Sequence, residues 1–172
     1  LEIAGKLTQR PVASTAEIAV FAEGESMYRA RKTANLASVC LQDIRRTLAE
    51  CGAPYDLYSI SDLSLPAADD YKLYIFVNQY DISEKTRALI EEKCKREGKT
   101  VLWLYAPNYA TDGSLRVNNI SGITGIKVMS GENSHGRMVY NEEKFDYPLN
   151  APYFSVCDKE AAPLALFEDG AV

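Results

Sequence analysis

Histidine, paired cysteines and glycine-rich loops are scarce in this chain of 172 residues, and each shortage argues against a class of site. The single histidine, His135, severely limits any histidine-based metal centre or catalytic triad. We expect it to lie in a surface loop. No two of the four cysteines form a CxxC pair, so zinc-ribbon and thioredoxin-type sites lack support. The sequence therefore predicts no metal site.

Positive charge is also in short supply, because 19 Lys and Arg residues stand against 24 Asp and Glu residues and give a net charge of −5. A phosphate backbone is bound by a concentrated basic surface, so we expect no nucleic-acid partner. One basic cluster is interpreted as a solvated helix end whose cations complement the helix dipole. It consists of Lys93, Lys95, Arg96 and Lys99.

Long hydrophobic runs are missing as well. No run approaches the roughly 18 apolar residues that a membrane span needs, so we expect no membrane association. Because the first residue is Leu1 rather than Met, we expect the chain to be a piece of a longer protein. Cysteines without a pairing pattern slightly favour a reducing cytoplasm, whereas a signal peptide on the parent chain would direct it elsewhere.

Four short apolar runs are present, each rich in β-branched and aromatic residues and bounded by turn-forming residues, which is typical of strands. They are "IAVFA" (18–22), "YDLYSI" (55–60), "LYIFV" (73–77) and "VLWLY" (101–105). Three of them are continuously apolar, as expected for parallel strands covered on both faces. "YDLYSI" is more mixed and is predicted at an edge of the sheet.

Two helices are predicted between these runs. The segment 34–51 carries apolar residues at spacings of three and four and is followed by Gly52, a stop signal. The segment 84–97 follows Ser83, a good N-cap, and precedes Gly98. Strands alternating with helices predict an α/β fold, a doubly wound parallel sheet of the flavodoxin-like type.

The pattern divides the chain into three parts. Residues 1–16 are predicted to be a linker or lead-in from an upstream domain, 17–126 the α/β domain, and 127–172 a small β-rich extension that is cut off at its end. A short helix is expected at 118–125. Strand-like pieces follow it at 126–129, 137–140, 153–157 and 164–167.

Open α/β sheets bind ligands outside the carboxyl ends of their strands, so the loops 22–33, 78–81 and 106–113 are expected to line a crevice. Its candidate residues are Glu23, Ser26, Asn78 and Tyr109. A phosphate-bearing cofactor needs close approach of backbone amides to the phosphates. The first loop offers a single glycine between two glutamates, so no cofactor is predicted.

The elbow after "LYIFV" lacks a nucleophile. Amidotransferases and hydrolases place Cys or Ser on such a strand-to-helix turn, whereas Asn78 stands there, and Ser83 is better explained as a helix cap. Three cysteines, Cys40, Cys51 and Cys94, are predicted on apolar helical stripes, where a thiol is a small buried hydrophobe. We therefore predict no catalytic residues and structural roles for all four cysteines.

An ordered set of segments carries a resemblance. The set is "EIAVFAEGESMYRAR", "GAPYDLYSISDL", "DYKLYIFVNQYDIS", "GKTVLWLYAPNYATDG" and "NNISGITGI", from Glu17 to Ile126. In that order the segments resemble the trimerisation domain of the β-galactosidases of glycoside hydrolase family 42 and of related multidomain glycoside hydrolases. The tail "PYFSVCDKEAAPLALFEDGAV" is similar to the continuation of that domain.

The resemblance implies a fold similar to class I glutamine amidotransferases, with the nucleophile lost. It implies a non-catalytic oligomerisation or scaffold domain, preceded in the same chain by a catalytic (β/α)₈ barrel, in a protein that forms trimers. Loops of such a domain help to wall the sugar site of a neighbouring subunit. No catalytic residue of the family falls within the matching region.

Two other functions remain open on the residues alone. A stand-alone ligand-binding or amidase-like enzyme of the same fold would use the crevice at the strand ends. A carbohydrate-contacting accessory domain is suggested by the 11 tyrosines, of which Tyr28, Tyr80 and Tyr109 are expected in loops.

Overall fold

The computed structural model describes residues 14–30, 34–111, 113–131, 137–146, 151–168 and 170. His135 and most of the predicted lead-in lie outside these residues.

A four-stranded parallel sheet forms the centre of the α/β fold. Its strands are β1 (Ile18–Ala22), β2 (Tyr55–Ser59), β3 (Leu73–Phe76) and β4 (Thr100–Trp103), in the order β2-β1-β3-β4. All four predicted strands and their parallel arrangement are confirmed. The mixed segment "YDLYSI" provides β2 at one edge of this sheet, as its pattern predicts.

Coverage of β4 differs from the prediction. Among the described strands β4 is the other edge of the sheet, and Leu102 is 46% exposed although its run is as apolar as a central strand. Leu102 lies beside Ile75 in the register, on the face where Val20 and Ile75 are buried. On this face Leu41, Ile44 and Leu48 of the first helix cover the central strands β1 and β3. They leave the neighbouring edge strand β4 uncovered.

The first helix contains a π-helical segment, Ser38–Asp43, after a short α-helical start, and continues as α1, Ile44–Glu50. Leu36 and Cys40 are buried, as the apolar stripe predicts, but Cys51 is exposed, so its predicted burial is wrong. Cys51 is the C-cap residue, one position past the end of α1, whereas Ile44 and Leu48 of the same stripe pack against the sheet.

The other face of the sheet is covered by α2, Glu84–Lys93, and by α3, Val117–Thr124. Stacked rings cross the whole sheet on this face, with ring centroids 4.5–5.4 Å apart. The row consists of Tyr58, Phe21, Phe76 and Trp103, which are neighbours in the strand register. Short 3₁₀ segments lie at Glu25–Arg29, Ile60–Ser64 and Pro66–Ala68.

Ser83 caps α2, because its hydroxyl oxygen accepts a hydrogen bond from the amide of Thr86 at 3.1 Å. The helix ends at Lys93, earlier than predicted. The basic residues at its end and beyond it are not simply solvated. Lys93 pairs with Asp69 at 2.7 Å, and Lys99 donates to the Tyr74 hydroxyl at 3.0 Å and to the backbone oxygen of Lys93 at 3.1 Å.

Outside the parallel sheet, the described strands pair in antiparallel arrangements. Their bounds are Ala110–Thr111, Ser114–Leu115, Val128–Ser130, Arg137–Tyr140, Glu143–Asp146, Phe154–Val156 and Leu166–Phe167 for β5 to β11 in turn. β5 and β6 form a hairpin before the predicted extension, whereas within it β7 pairs with β10 and β8 lies between β9 and β11. The helix predicted at 118–125 is α3, which stops at Gly125 with a left-handed φ of 77°.

Within the described residues, no helix is both long and apolar enough to cross a bilayer.

Candidate functional site

The elbow after β3 is held by the side chain of Asn78, which is fully buried. Its Nδ2 donates to the backbone oxygen of Glu23 at 2.6 Å, and its Oδ1 accepts from the backbone amide of Glu23 at 2.8 Å. Both ends of the amide are therefore used to fasten the loop after β1 to the end of β3. Asn78 acts here as a clamp between two loops.

Gln79 continues the clamp and was not among the predicted site residues. Its Nε2 donates to the backbone oxygen of Phe21 at 2.9 Å, and its Oε1 accepts from the amide of Asn78 at 3.1 Å. The side-chain oxygen of Ser26 accepts from the amide of Tyr80 at 3.2 Å. These bonds satisfy polar groups that would be costly to bury without a partner.

Asn108 joins the loop after β4 to the same network. It is buried, with a φ of 60°, and its Oδ1 accepts from the amide of Ile82 at 3.0 Å and from the Thr111 hydroxyl at 2.5 Å. Nearby Ala106 has a φ of 37°, a conformation that non-glycine residues rarely adopt. One feature of the sequence could have indicated Gln79 and Asn108 as site residues, because both follow closely after apolar strands.

Three of the four predicted crevice residues line one of two cavities. Glu23 and Ser26 line a cavity of about 480 Å³, which we call the polar cavity. Tyr109 lines a second cavity of about 380 Å³, the aromatic cavity, and Arg29 lines both. Asn78 is not among the residues lining either one. The structure thus brings Glu23, Ser26 and Asn78 together through the hydrogen bonds between the loops, whereas Tyr109 lies in the wall of the aromatic cavity.

Carboxylates and hydroxyls dominate the polar cavity. Its only described cationic lining residue, Arg29, is paired with Asp81 at 2.7 Å. The carboxylates are Glu23, Glu25, Asp81 and Glu84, and the hydroxyls are Ser26, Tyr28, Ser83, Thr86 and Thr111. Cysteine and histidine do not occur among these described lining residues, and no cluster of His, Cys, Asp or Glu suited to a metal is found in the part of the chain that the structure describes.

Tyrosines and small apolar side chains form the aromatic cavity. Tyr80 and Tyr105 meet edge to face with ring centroids 5.9 Å apart, and Tyr109 meets Phe154 at 4.9 Å. The Tyr105 hydroxyl donates to the backbone oxygen of Pro152 at 2.5 Å, which fixes one wall. Tyr80 is itself buried, so of the three loop tyrosines only Tyr28 is fully exposed, at 89%.

Two of the four cysteine thiols are buried. Burial raises the pKa of the Cys40 thiol, and burial together with the neighbouring Cys40 raises the pKa of the Tyr80 hydroxyl. Burial also raises the pKa of Cys94 to about 12, although Lys99 and Lys93 oppose the shift. A reactive cysteine needs a lowered pKa and access to solvent, and neither buried thiol has these properties. Cys51 and Cys157 are exposed and lie in neither described lining.

Comparison with known proteins gives matches among solved structures. No protein-family model matches the chain, and no curated protein matches it in sequence. A GH42 β-galactosidase from G. stearothermophilus, a catalytic mutant, is similar with a TM-score of 0.63 and 18% identity, over 93% of this chain. A β-galactosidase from the psychrophilic Marinomonas ef1 is similar with a TM-score of 0.62 and 12% identity, over 98% of this chain.

A further match is a β-galactosidase from Bifidobacterium adolescentis, with a TM-score of 0.51, 14% identity and coverage of 70% of this chain and 65% of that one. The chain spans only 24% and 26% of the G. stearothermophilus and Marinomonas proteins. At these identities the likeness is one of fold. It supports a domain related in structure to part of GH42 β-galactosidases.

Proposed function

We propose that this chain is a non-catalytic oligomerisation or scaffold domain of a larger glycoside hydrolase of the β-galactosidase type. The observation that carries the proposal is the fold likeness over nearly the whole chain to about a quarter of two β-galactosidases. A segment that matches so small a share of an enzyme is compatible with an accessory domain. The finer fold assignment that we propose is the flavodoxin-like sheet of class I glutamine amidotransferases.

The hydrogen-bonded elbow supports the non-catalytic part of the proposal. In enzymes with a nucleophile elbow, the side chain at the turn must reach the substrate. At the corresponding turn here, both ends of the Asn78 amide are bonded to the backbone of Glu23. A residue that is buried and doubly bonded in this way stabilises the loops and is unavailable for chemistry.

The partners of the domain follow from the same proposal. We place a catalytic barrel upstream in the same chain and expect the full-length protein to be a homotrimer, in which loops at the carboxyl ends of the strands face a neighbouring subunit. The two described edges of the sheet are incompletely covered, since Leu57 and Leu102 are 53% and 46% exposed. Each edge leaves one leucine for contact with another part of the assembly, which is compatible with an assembly role.

Molecular mass in solution tests the proposal. The chain should be compared by light scattering with a longer protein that includes its upstream region, at the same concentration. A trimer of the longer protein, together with β-galactosidase activity only in that protein, is the expected result. Hydrolysis of an aryl galactoside by the chain alone, or a monomeric longer protein, would contradict it.

A second candidate is a stand-alone ligand-binding domain, favoured by the two cavities at the strand ends. Its amidase-like form is disfavoured, because the described lining residues include no cysteine and the two buried thiols have raised pKa values. Ligand binding without catalysis is compatible with a scaffold.

A further inference from the structure

We propose that the aromatic cavity binds a small planar carboxylate, of the size of a single-ring aromatic acid. The inference is independent of subunit assembly, since it concerns one cavity within one chain. It rests on the position of the cavity, on the composition of its walls and on the one charged residue among its described lining residues.

Position is the first argument. The cavity lies between residues that follow β1, β3 and β4, represented by Ala30, Tyr80 and Tyr105. β1 and β3 are neighbours in the sheet. The chain leaves β1 toward β2 on one side and leaves β3 toward β4 on the other, so the strand order reverses between the carboxyl ends of β1 and β3. Ligands of open α/β sheets bind at that point. A volume of about 380 Å³ falls within the usual range for small-molecule pockets.

The walls define the shape and polarity of the ligand. Apart from Arg29, the described lining residues are three tyrosines and eight small or aliphatic side chains whose types are Ala, Leu and Pro, and these offer few hydrogen-bonding groups. The rings of Tyr80 and Tyr105 lie at 80° to each other. A third flat ring can contact the face of one tyrosine and the edge of the other, and aromatic rings favour both contacts. A free sugar, which carries many hydroxyls, would leave most of them without partners and suits these walls poorly.

Charge decides between a neutral ring and an anion. Arg29 is the one charged residue among the described lining residues, so the cavity has a cation and no lining carboxylate. Its guanidinium donates one bond to Asp81 at 2.7 Å, on the side of the polar cavity. A guanidinium has five N–H donors, so others remain for a carboxylate, which it binds more strongly than a neutral acceptor.

Part of the backbone around the cavity is preformed. Ala106, in the wall, has a φ of 37° and is held by a loop whose bonds reach Gln79 and Tyr80, including Asn108 amide to Gln79 oxygen and Ala110 amide to Tyr80 oxygen, both 2.8 Å. Strained positions of this kind cluster at ligand sites, where the surrounding structure maintains them. A preformed wall reduces the ordering that binding would otherwise require.

Ligand-observed NMR with benzoate tests the proposal on the chain as it is. Benzoate should bind saturably, and benzamide, which has the same ring without the charge, should bind about tenfold more weakly. Arg29→Met should remove this preference for benzoate. Arg137→Met is the matched control, because Arg137 also pairs with an aspartate, Asp146, but lies on β8 and outside the cavity lining.

A second pair of variants tests the location without removing charge. Ala34→Leu adds volume in the cavity wall and should weaken benzoate binding by about tenfold, whereas Ala37→Leu, on the exposed side of the same segment, should leave it unchanged. Circular dichroism confirms that the four variants are folded. No saturable benzoate binding, equal binding of benzoate and benzamide, or equal effects of the variants and their controls would overturn the proposal.

Discussion

The amide side chain of Asn78 forms two hydrogen bonds with the backbone of one residue, Glu23, at 2.6 and 2.8 Å. Fifty-five positions separate these residues in the sequence. The pair joins the ends of the two central strands, because Glu23 follows β1 and Asn78 follows β3. Since the side chain is fully buried, the two bonds replace contacts with water and set the distance between the loops.

Replacing Asn78 should therefore destabilise the domain strongly. Asn78→Leu leaves the amide and the oxygen of Glu23 without their partners, and we expect a loss of about 2–4 kcal/mol in the free energy of unfolding. Asn78→Asp keeps an acceptor for the Glu23 amide but loses the donor to its oxygen and buries a carboxyl group, so it should also destabilise. Urea denaturation followed by circular dichroism measures both.

Asn118→Asp supplies the control for this prediction, because Asn118 is exposed on α3. A surface change of this kind should remain within about 0.5 kcal/mol of the parent. Equal stabilities of the Asn78 and Asn118 variants would show that the clamp contributes nothing measurable.

A second prediction concerns Gly131 in the β-rich extension. A Cβ at this position would lie 1.9 Å from Cδ1 and 2.3 Å from Cε1 of Tyr153, while the amide of Gly131 donates to the backbone oxygen of Tyr153 at 3.0 Å. Because that bond holds the two backbones together, the buried ring has to move. We expect Gly131→Ala to cost about 1–3 kcal/mol of unfolding free energy, measured by thermal or urea denaturation.

Gly24→Ala is the matched substitution, since a Cβ at Gly24 meets nothing within 4 Å and its φ is −67°. It should be neutral or slightly stabilising. If both alanine variants unfold at the same urea concentration as the parent, the close approach of Gly131 to Tyr153 is not present in solution.

The third prediction tests the basic cluster after α2. Lys99 donates to the Tyr74 hydroxyl and to the backbone oxygens of Asp69 and Lys93, and its ammonium group lies 5.2 Å from the Tyr74 ring centroid. Lys99→Met removes these bonds and keeps the aliphatic stem, so we expect a loss of about 1–3 kcal/mol. Lys72→Met is the comparison, because the Lys72–Glu17 pair is largely exposed and should contribute at most about 1 kcal/mol.

These sites show which parts of the structure the sequence could predict. Strand positions were accessible because a buried parallel strand needs a run of apolar residues, and "LYIFV" contains all of β3. The exposure of Leu102 could not be predicted from the sequence, because this edge strand, which is covered on one face, has the same kinds of apolar residues as a central strand. The burial of Cys51 was wrongly predicted because this residue is the C-cap of α1, past the last residues of the helix that pack against the sheet.

The candidate site was predictable in position but not in role. Glu23, Ser26 and Asn78 do meet at the carboxyl ends of the strands, as the rule for α/β sheets predicts. No local pattern could show that the Asn78 amide bonds to the backbone of Glu23, because this depends on the register of two strands. The division between a polar and an aromatic cavity likewise depends on loop packing.

The last prediction separates an inert scaffold from a thiol enzyme by labelling the folded protein with iodoacetamide and counting modified cysteines by mass spectrometry. Cys51 and Cys157 are exposed and should be labelled in the folded protein. Cys40 and Cys94 are buried and should be labelled only after unfolding in urea. Raising the pH from about 7 to about 9 should not change this division, because burial keeps the reagent from both thiols and raises their pKa values, to about 12 for Cys94, and a thiol reacts as its thiolate. The rate of labelling of Cys40 and Cys94 in the folded protein should instead follow the stability of the domain, and should therefore rise in the Asn78→Leu variant. Fast labelling of Cys40 or Cys94 in the native protein near neutral pH would point to an activated thiol and to the amidase-like alternative.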